Sequence, residues 1–261
     1  MVTVIEPRRW VLPSRVLTFC WLELRRIRHD RAELYTRAIQ PALWLLIFGE
    51  TFSHLHVIPT GNVPYLNYLA PGIMAQSALF ISIFFGIQII WERDAGILSK
   101  LLATPTPRIA LVTGKGFAAG VRSITQVVVI LVLSALLGVS LTWNPAKILA
   151  AMGIVVLGSV FFCMLSVTIA GLVLSRERLM GIGQAITMPL FFASNALYPR
   201  SLMPGWLQVV SAVNPMSYEV DALRGILLGT QSSLLLDVVV LVIAVVTSVT
   251  IAARLLERLA R

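Results

Sequence analysis

Residues 148–174 read ILAAMGIVVLGSVFFCMLSVTIAGLVL, a run with no charged side chain. About 20 apolar residues suffice for a helix to cross the hydrocarbon core of a bilayer, so this run is a membrane span and decides the fold class. The whole chain agrees with it. Of 261 residues 57% are hydrophobic and 13% charged, with a mean hydropathy of +0.87. A soluble domain of this length has too little interior to hide so much apolar surface.

Outward from this span, Trp143-Asn144-Pro145 forms a turn on one side and Ser175-Arg176-Glu177-Arg178 a tight turn on the other. Apolar runs at 116–139 and 179–197 lie beyond those turns, and further runs at 35–52, 65–90 and 234–255 bring the expected count to six. The run at 35–52 has Pro41 near its start and Glu50 near its end. The fold class is therefore an all-α polytopic membrane protein. Its expected domains are a cytoplasmic N-terminal segment (1–34), a transmembrane domain (35–255) and a cytoplasmic tail (256–261).

Two stretches outside the spans carry local structure. Residues 1–13 are loosely built around Pro7 and Pro13, after which Ser14 can cap a helix to about His29. Leu17, Trp21, Leu24 and Ile27 recur there at helical spacing among arginines. Such a helix lies in the cytoplasmic interface or docks on a partner. In 198–232, Pro199, Pro204, Gly205, Pro215 and Gly229 cut the chain into pieces too short to cross. Trp206–Val213 and Ser217–Leu228, with Ser217 as cap and Gly229 as stop, read as a helical hairpin folded back at the outer surface; irregular backbone at that depth must be buried in protein.

The net charge of +9 can suggest nucleic acid. The basic residues lie between the apolar runs instead, where they act as topology signals and lipid contacts. Residues 1–37 hold eight arginines, and Arg93, Lys100, Arg108, Lys115, Arg176, Arg178, Arg254, Arg258 and Arg261 follow on the same side. The opposite side holds Lys147, Arg200 and Arg224. Both termini are therefore expected in the cytoplasm of a cell membrane, the first span serving as an uncleaved anchor. Arg122, inside the third span, can snorkel to the inner interface. Cys20 and Cys163 belong to no metal or redox motif. Gly114-Lys115-Gly116 lacks the residues of a phosphate-cradling loop, so any ATP must be bound by a separate chain.

The stretch WERDAGILSKLLATPTPR, 91–108, is charged at its start and apolar at Ile97, Leu98 and Leu101. It reads as a short amphipathic helix ended by Pro105 and Pro107, either a lever joining the second and third spans or an ordinary interfacial loop. It resembles the coupling region of type-2 ABC (ABC-2) exporter permeases, [WR]-E-R-[ED]-x-G-T-[LI]-x-x-L-x-x-[ST]-P, with Ile97 where Thr is common. Residues 195–229, NALYPRSLMPGWLQVVSAVNPMSYEVDALRGILLG, resemble that family's second signature, three spans later. The pattern is nearest to daunorubicin-resistance permeases.

The resemblance implies six spans, an N-terminal interfacial helix, a second permease copy or a paralogous permease, and two copies of an ATP-binding subunit that carries ATP and Mg. The subunit would grip Trp91, Glu92, Arg93, Asp94, Gly96, Ile97, Leu98 and Leu101. Pro204, Gly205, Trp206, Asn214, Pro215 and Arg224 would form the outer motif. The implied cargo is a drug-like or lipid-like amphipath, with a polysaccharide or glycolipid as the alternative.

Polar residues within spans are candidates for the cargo route. Glu50 can meet a cationic substrate or pair with His54. Gln88, Gln184 and Asn195 can line a route or bond between helices. Phe84, Phe85, Phe191 and Phe192 form a gate or simply pack. Asp221 and Arg224 are spaced to pair, and Asp237 is placed at the outer interface. An ion-coupled transporter would show inverted repeats and midplane charges; neither is present. No catalytic constellation converges within the spans.

Overall fold

A computed structural model describes residues 11–29, 36, 39–55, 58–61, 63–104 and 106–260. Every regular element among them is helical. The expectations for residues 1–10, the junction at 34/35, the stop at Pro105 and Arg261 of the tail lie outside these residues.

The uncharged run 148–174 lies in α7 (Pro145–Val173) and the residue that ends it. Around it stand α3 (Tyr65–Ile87), α6 (Arg108–Leu136), α10 (Pro215–Leu228) and α11 (Leu234–Ala260), each packed on it. Between α6 and α3 the chain forms α4 (Ile89–Asp94) and α5 (Ile97–Leu102); α8 is Arg176–Phe192 and α9 Gly205–Val213. The N-terminal α1 (Val11–His29) packs on α6. Residues 39–43 are helical and pass into a π-helical segment, Trp44–Gly49, then α2 (Glu50–Leu55). Among the described residues, four stretches are long and apolar enough to cross a membrane: Tyr65–Asp94, Arg108–Leu136, Pro145–Val173 and Leu234–Leu256. These helices, with no strands among the described residues, make the chain an all-helical membrane protein.

Apolar surface gains nothing by leaving lipid for another apolar helix, so the bundle is held by close packing of small residues and by internal polar bonds. A Cβ on Gly86 of α3 would lie 2.6 Å from the Ser166 Cβ of α7, and on Gly120 of α6 2.9 Å from Val156 of α7. At the first contact Ser166 Oγ donates to the Ile83 carbonyl at 2.8 Å. In the first segment Trp44, Phe48 and Phe52 stack at successive turns, with centroids 4.4 and 5.7 Å apart. Trp44 also meets Phe191 of α8 edge-on.

Several helix ends differ from expectation. The third span's helix begins at Arg108 rather than about 116, and α11 runs through the expected tail to Ala260. Ser14 lies inside α1, which begins at Val11, rather than before its first turn. α10 starts two residues before Ser217, capped by Asn214, whose side chain accepts from Met216 N at 3.1 Å. α7 repeats the device with Asn144, which accepts from Ala146 N at 3.0 Å. In both, proline at the first helical position supplies a pre-set φ and loses no hydrogen bond. Ser217 instead pairs its hydroxyl with Ser211 at 3.0 Å.

Candidate functional site

The 91–104 stretch is two helices with a corner between them. α4 continues the line of α3, and the chain then turns at Gly96, whose φ of 69° lies in the left-handed region that glycine adopts without strain. The expectation of a single amphipathic helix is corrected there: Trp91-Glu92-Arg93-Asp94 sits on the span side of the corner, and the apolar half alone forms α5.

The four residues before the corner brace the bundle. Glu92 Oε1 meets Lys115 Nζ of α6 at 2.5 Å. Arg93 Nη1 donates to the Leu174 carbonyl at 3.1 Å, at the C-terminus of α7, where exposed carbonyls favour a cation. Asp94 accepts from Arg93 Nε at 2.9 Å and from Arg176 Nε, at the start of α8, at 2.5 Å. The Arg176 guanidinium also stands 5.8 Å from the Trp91 ring. The charges of this motif are therefore engaged within the chain. Those bonds tie α4 to α6, to the end of α7 and to the start of α8.

Past the corner, Leu98 is buried and Leu101 half-buried, while Ile97 is 48% exposed and Ser99 and Lys100 are also exposed. Beneath α5 lies a mostly apolar cavity of about 420 Å³. Leu98 and Leu101, Gln88, Lys115 of α6, Glu23 of α1 and Leu256 of α11 are among its walls. A second buried ion pair flanks it, Arg122 Nε donating to Glu23 Oε1 at 2.7 Å. Both residues are buried, so Arg122 does not snorkel out. It turns onto α1 and stands 5.0 Å from the Phe85 ring, while Lys115 stands 5.2 Å from the same ring. Phe85 thus packs between two cations. On α1, Leu17, Trp21 and Leu24 face outward and exposed. Cys20, half-buried on this helix, has its thiol pushed up by burial.

A second polar cluster occupies the other end of α3. Arg224 of α10 donates from Nη2 to the carbonyls of Asn195 (2.9 Å) and Ala196 (3.0 Å), and from Nε to that of Tyr68 (3.2 Å). Its guanidinium lies 3.4 Å from the Tyr68 ring centroid. Asn195 Nδ2 donates to Asp221 at 2.5 Å, and Arg224 and Asp221 approach to 3.9 Å. Asn214, besides capping α10, donates to the Leu190 carbonyl at 2.7 Å. These bonds fasten α10 and its cap to α3, to the end of α8 and to the non-helical carbonyls that follow it. Pro204 and Gly205 open α9, on which Trp206 is exposed, and Pro215 opens α10.

The four candidate route residues are not brought together. Gln88 lines the cavity below α5, and Asn195 belongs to the Arg224 cluster. Gln184 is exposed on α8. Glu50 is exposed and lies 3.6 Å from His54. Phe85 and Phe191 are buried in packing, whereas Phe84 and Phe192 are exposed. Asp237, expected at an interface, is buried at the start of α11. Sequence reading missed Glu23, Lys115 and Arg176 as partners. A cation inside an apolar run, such as Lys115 or Arg122, signals a partner without naming it.

Comparison with known proteins identifies the family. Residues 14–228 match the ABC-2 type transporter family. The chain is 30% identical over 202 residues to the transport permease ycf38 of Porphyra purpurea, covering 77% of this chain and 69% of that protein. To the daunorubicin resistance ABC transporter permease protein DrrB1 of Streptomyces coeruleorubidus it is 24% identical over 225 residues, covering 86% and 79%. To nodulation protein J of Rhizobium meliloti it is 26% identical over 201 residues, covering 76% and 75%. The chain belongs to the ABC-2 type transporter permeases, a family of membrane transport components.

Proposed function

We propose that this permease exports a drug-like or lipid-like amphipath, driven by ATP hydrolysis on a separate ABC subunit that docks on α5. The ATP and Mg would be held by that subunit, present in two copies, and the permease would work as a pair. The observation that carries the reading is the corner at Gly96. It presents Ile97 and Lys100 outward on a short helix whose root is tied by ion pairs to α6 and α8 and by Arg93 to the end of α7. A force on α5 then reaches several helices at once. A ligand or motor shifts a conformational equilibrium only through contacts that differ between the states, and the exposed face of α5 is where such contacts can form.

Orientation follows the same geometry. Lys115, Arg93, Arg176 and the cavity-lining Arg26 gather at the α5 end, which supports a cytoplasmic placement by the positive-inside rule. In this reading residues 39–55 and α8 complete six crossings, and both termini are cytoplasmic. Relatives named for daunorubicin resistance favour a small amphipathic cargo over a polysaccharide. The test is co-purification with a co-expressed ATP-binding subunit. Ile97→Asp is expected to abolish it with insertion and yield unchanged, because Ile97 packs on little of its own chain. Unchanged co-purification of that variant would remove α5 from the interface.

A further inference from the structure

Glu219 sits on the face of α10 that should be apolar. Met216, Val220, Leu223 and Leu227 on the same helix are all buried, and Glu219 among them is 0% exposed. Its carboxylate lies against Gly158 of α7, where any Cβ would overlap it. Neither carboxylate oxygen has a hydrogen-bond partner.

No charged or titratable group on α10 or on the helices packed against it bonds Glu219. On α10 itself, Arg224 bonds Tyr68, Asn195 and Ala196, and Asp221 bonds Asn195. The helices packed on α10 carry Tyr65 and Tyr68 (α3), Lys147 and Cys163 (α7), and Asp237, Arg254 and Arg258 (α11). None of them bonds Glu219. An isolated carboxylate is too costly to strip of water in such surroundings, and the group neutralises instead.

We propose that Glu219 is a proton-binding site that latches the outer hairpin: α10 seats against Gly158 of α7 with the carboxyl protonated, and loss of that proton to water releases it. The step is a simple dissociation, with the proton leaving the carboxyl oxygen for solvent as α10 lifts. This site stands independently of whether α5 docks an ATP-binding subunit. Because the seated form binds the proton, raising the pH favours the released form.

Two measurements on the full-length permease in lipid nanodiscs test the site. Infrared spectra at neutral pH should show a protonated carboxyl C=O band that shifts in D2O and on 13C-glutamate labelling. The band should be missing from Glu219→Gln and Glu219→Met. A wild-type spectrum without a glutamate-derived band overturns the proposal even if neither variant folds, and so does a band that persists in both. In the second, the buried Val220→Cys is labelled with a methanethiosulfonate in wild-type and Glu219→Gln backgrounds. The ratio of the two rates should climb with pH, by up to about tenfold per unit, since glutamine cannot ionise. A flat ratio refutes the latch.

Discussion

Replacing Arg122 with methionine should strand Glu23 in a site where both side chains are buried. Breaking a buried ion pair from one side costs about 3–5 kcal/mol, because an uncompensated charge remains. Glu23→Leu removes the carboxylate that Arg122 bonds and should cost about 1–3 kcal/mol, with the guanidinium still beside Phe85. The double variant removes both charges and leaves apolar groups of comparable size. Its expected cost is no more than about 2 kcal/mol, mostly the lost cation–ring contact. The coupling between the two sites should then be about 2 kcal/mol or more. Reversible unfolding by SDS titration of the four proteins measures it. Additivity within about 0.5 kcal/mol would show that α1 is not anchored to α6 through this pair.

Three further outcomes are expected. Gly86→Ala should cost about 1–3 kcal/mol by overpacking α3 against Ser166 and the Cys163 carbonyl. Gly153→Ala, with open space at its Cβ, should be neutral or slightly stabilising, and thermal melting separates the two. Arg224→Met should lose about 1–3 kcal/mol, since the buried Ala196 carbonyl is left unpaired while the Asn195 carbonyl keeps the Tyr68 hydroxyl. Arg224→Lys should restore only part of this, because a single ammonium cannot reproduce the fork. In thiol labelling, Cys163 should stay unreactive until the protein is denatured. Cys20, its thiol raised by burial, should react slowly at neutral pH and faster as rising pH forms thiolate.

Much of the fold was legible because lipid leaves a spanning chain few alternatives: a long apolar run must be a helix whose backbone bonds close internally. Hence α7, α3 and α11 begin within a few residues of where hydropathy puts them. The start of α6 was set too late because hydropathy marks only lipid depth, whereas the helix begins at Arg108, directly after Pro107. The Asn-Pro caps of α7 and α10 were in plain view, yet Ser217 was chosen by residue type alone. The coupling segment was legible as a motif, but its corner was not, since Gly96 reads equally as a helical residue. Partners were the least legible. Glu23 and Arg122 are 99 positions apart, and only tertiary packing joins them. Nothing in the sequence marks Glu219, because its burial depends on α7 and not on its neighbours in sequence.

The most direct test of energy entry at α5 is reconstitution of the purified permease in liposomes, with and without its co-expressed ATP-binding subunit. Daunorubicin serves as probe, and Ile97→Asp as the uncoupled control. ATP-dependent movement of the drug should require both proteins and vanish in the variant. Movement by the permease alone, or undiminished movement with Ile97→Asp, would contradict the account.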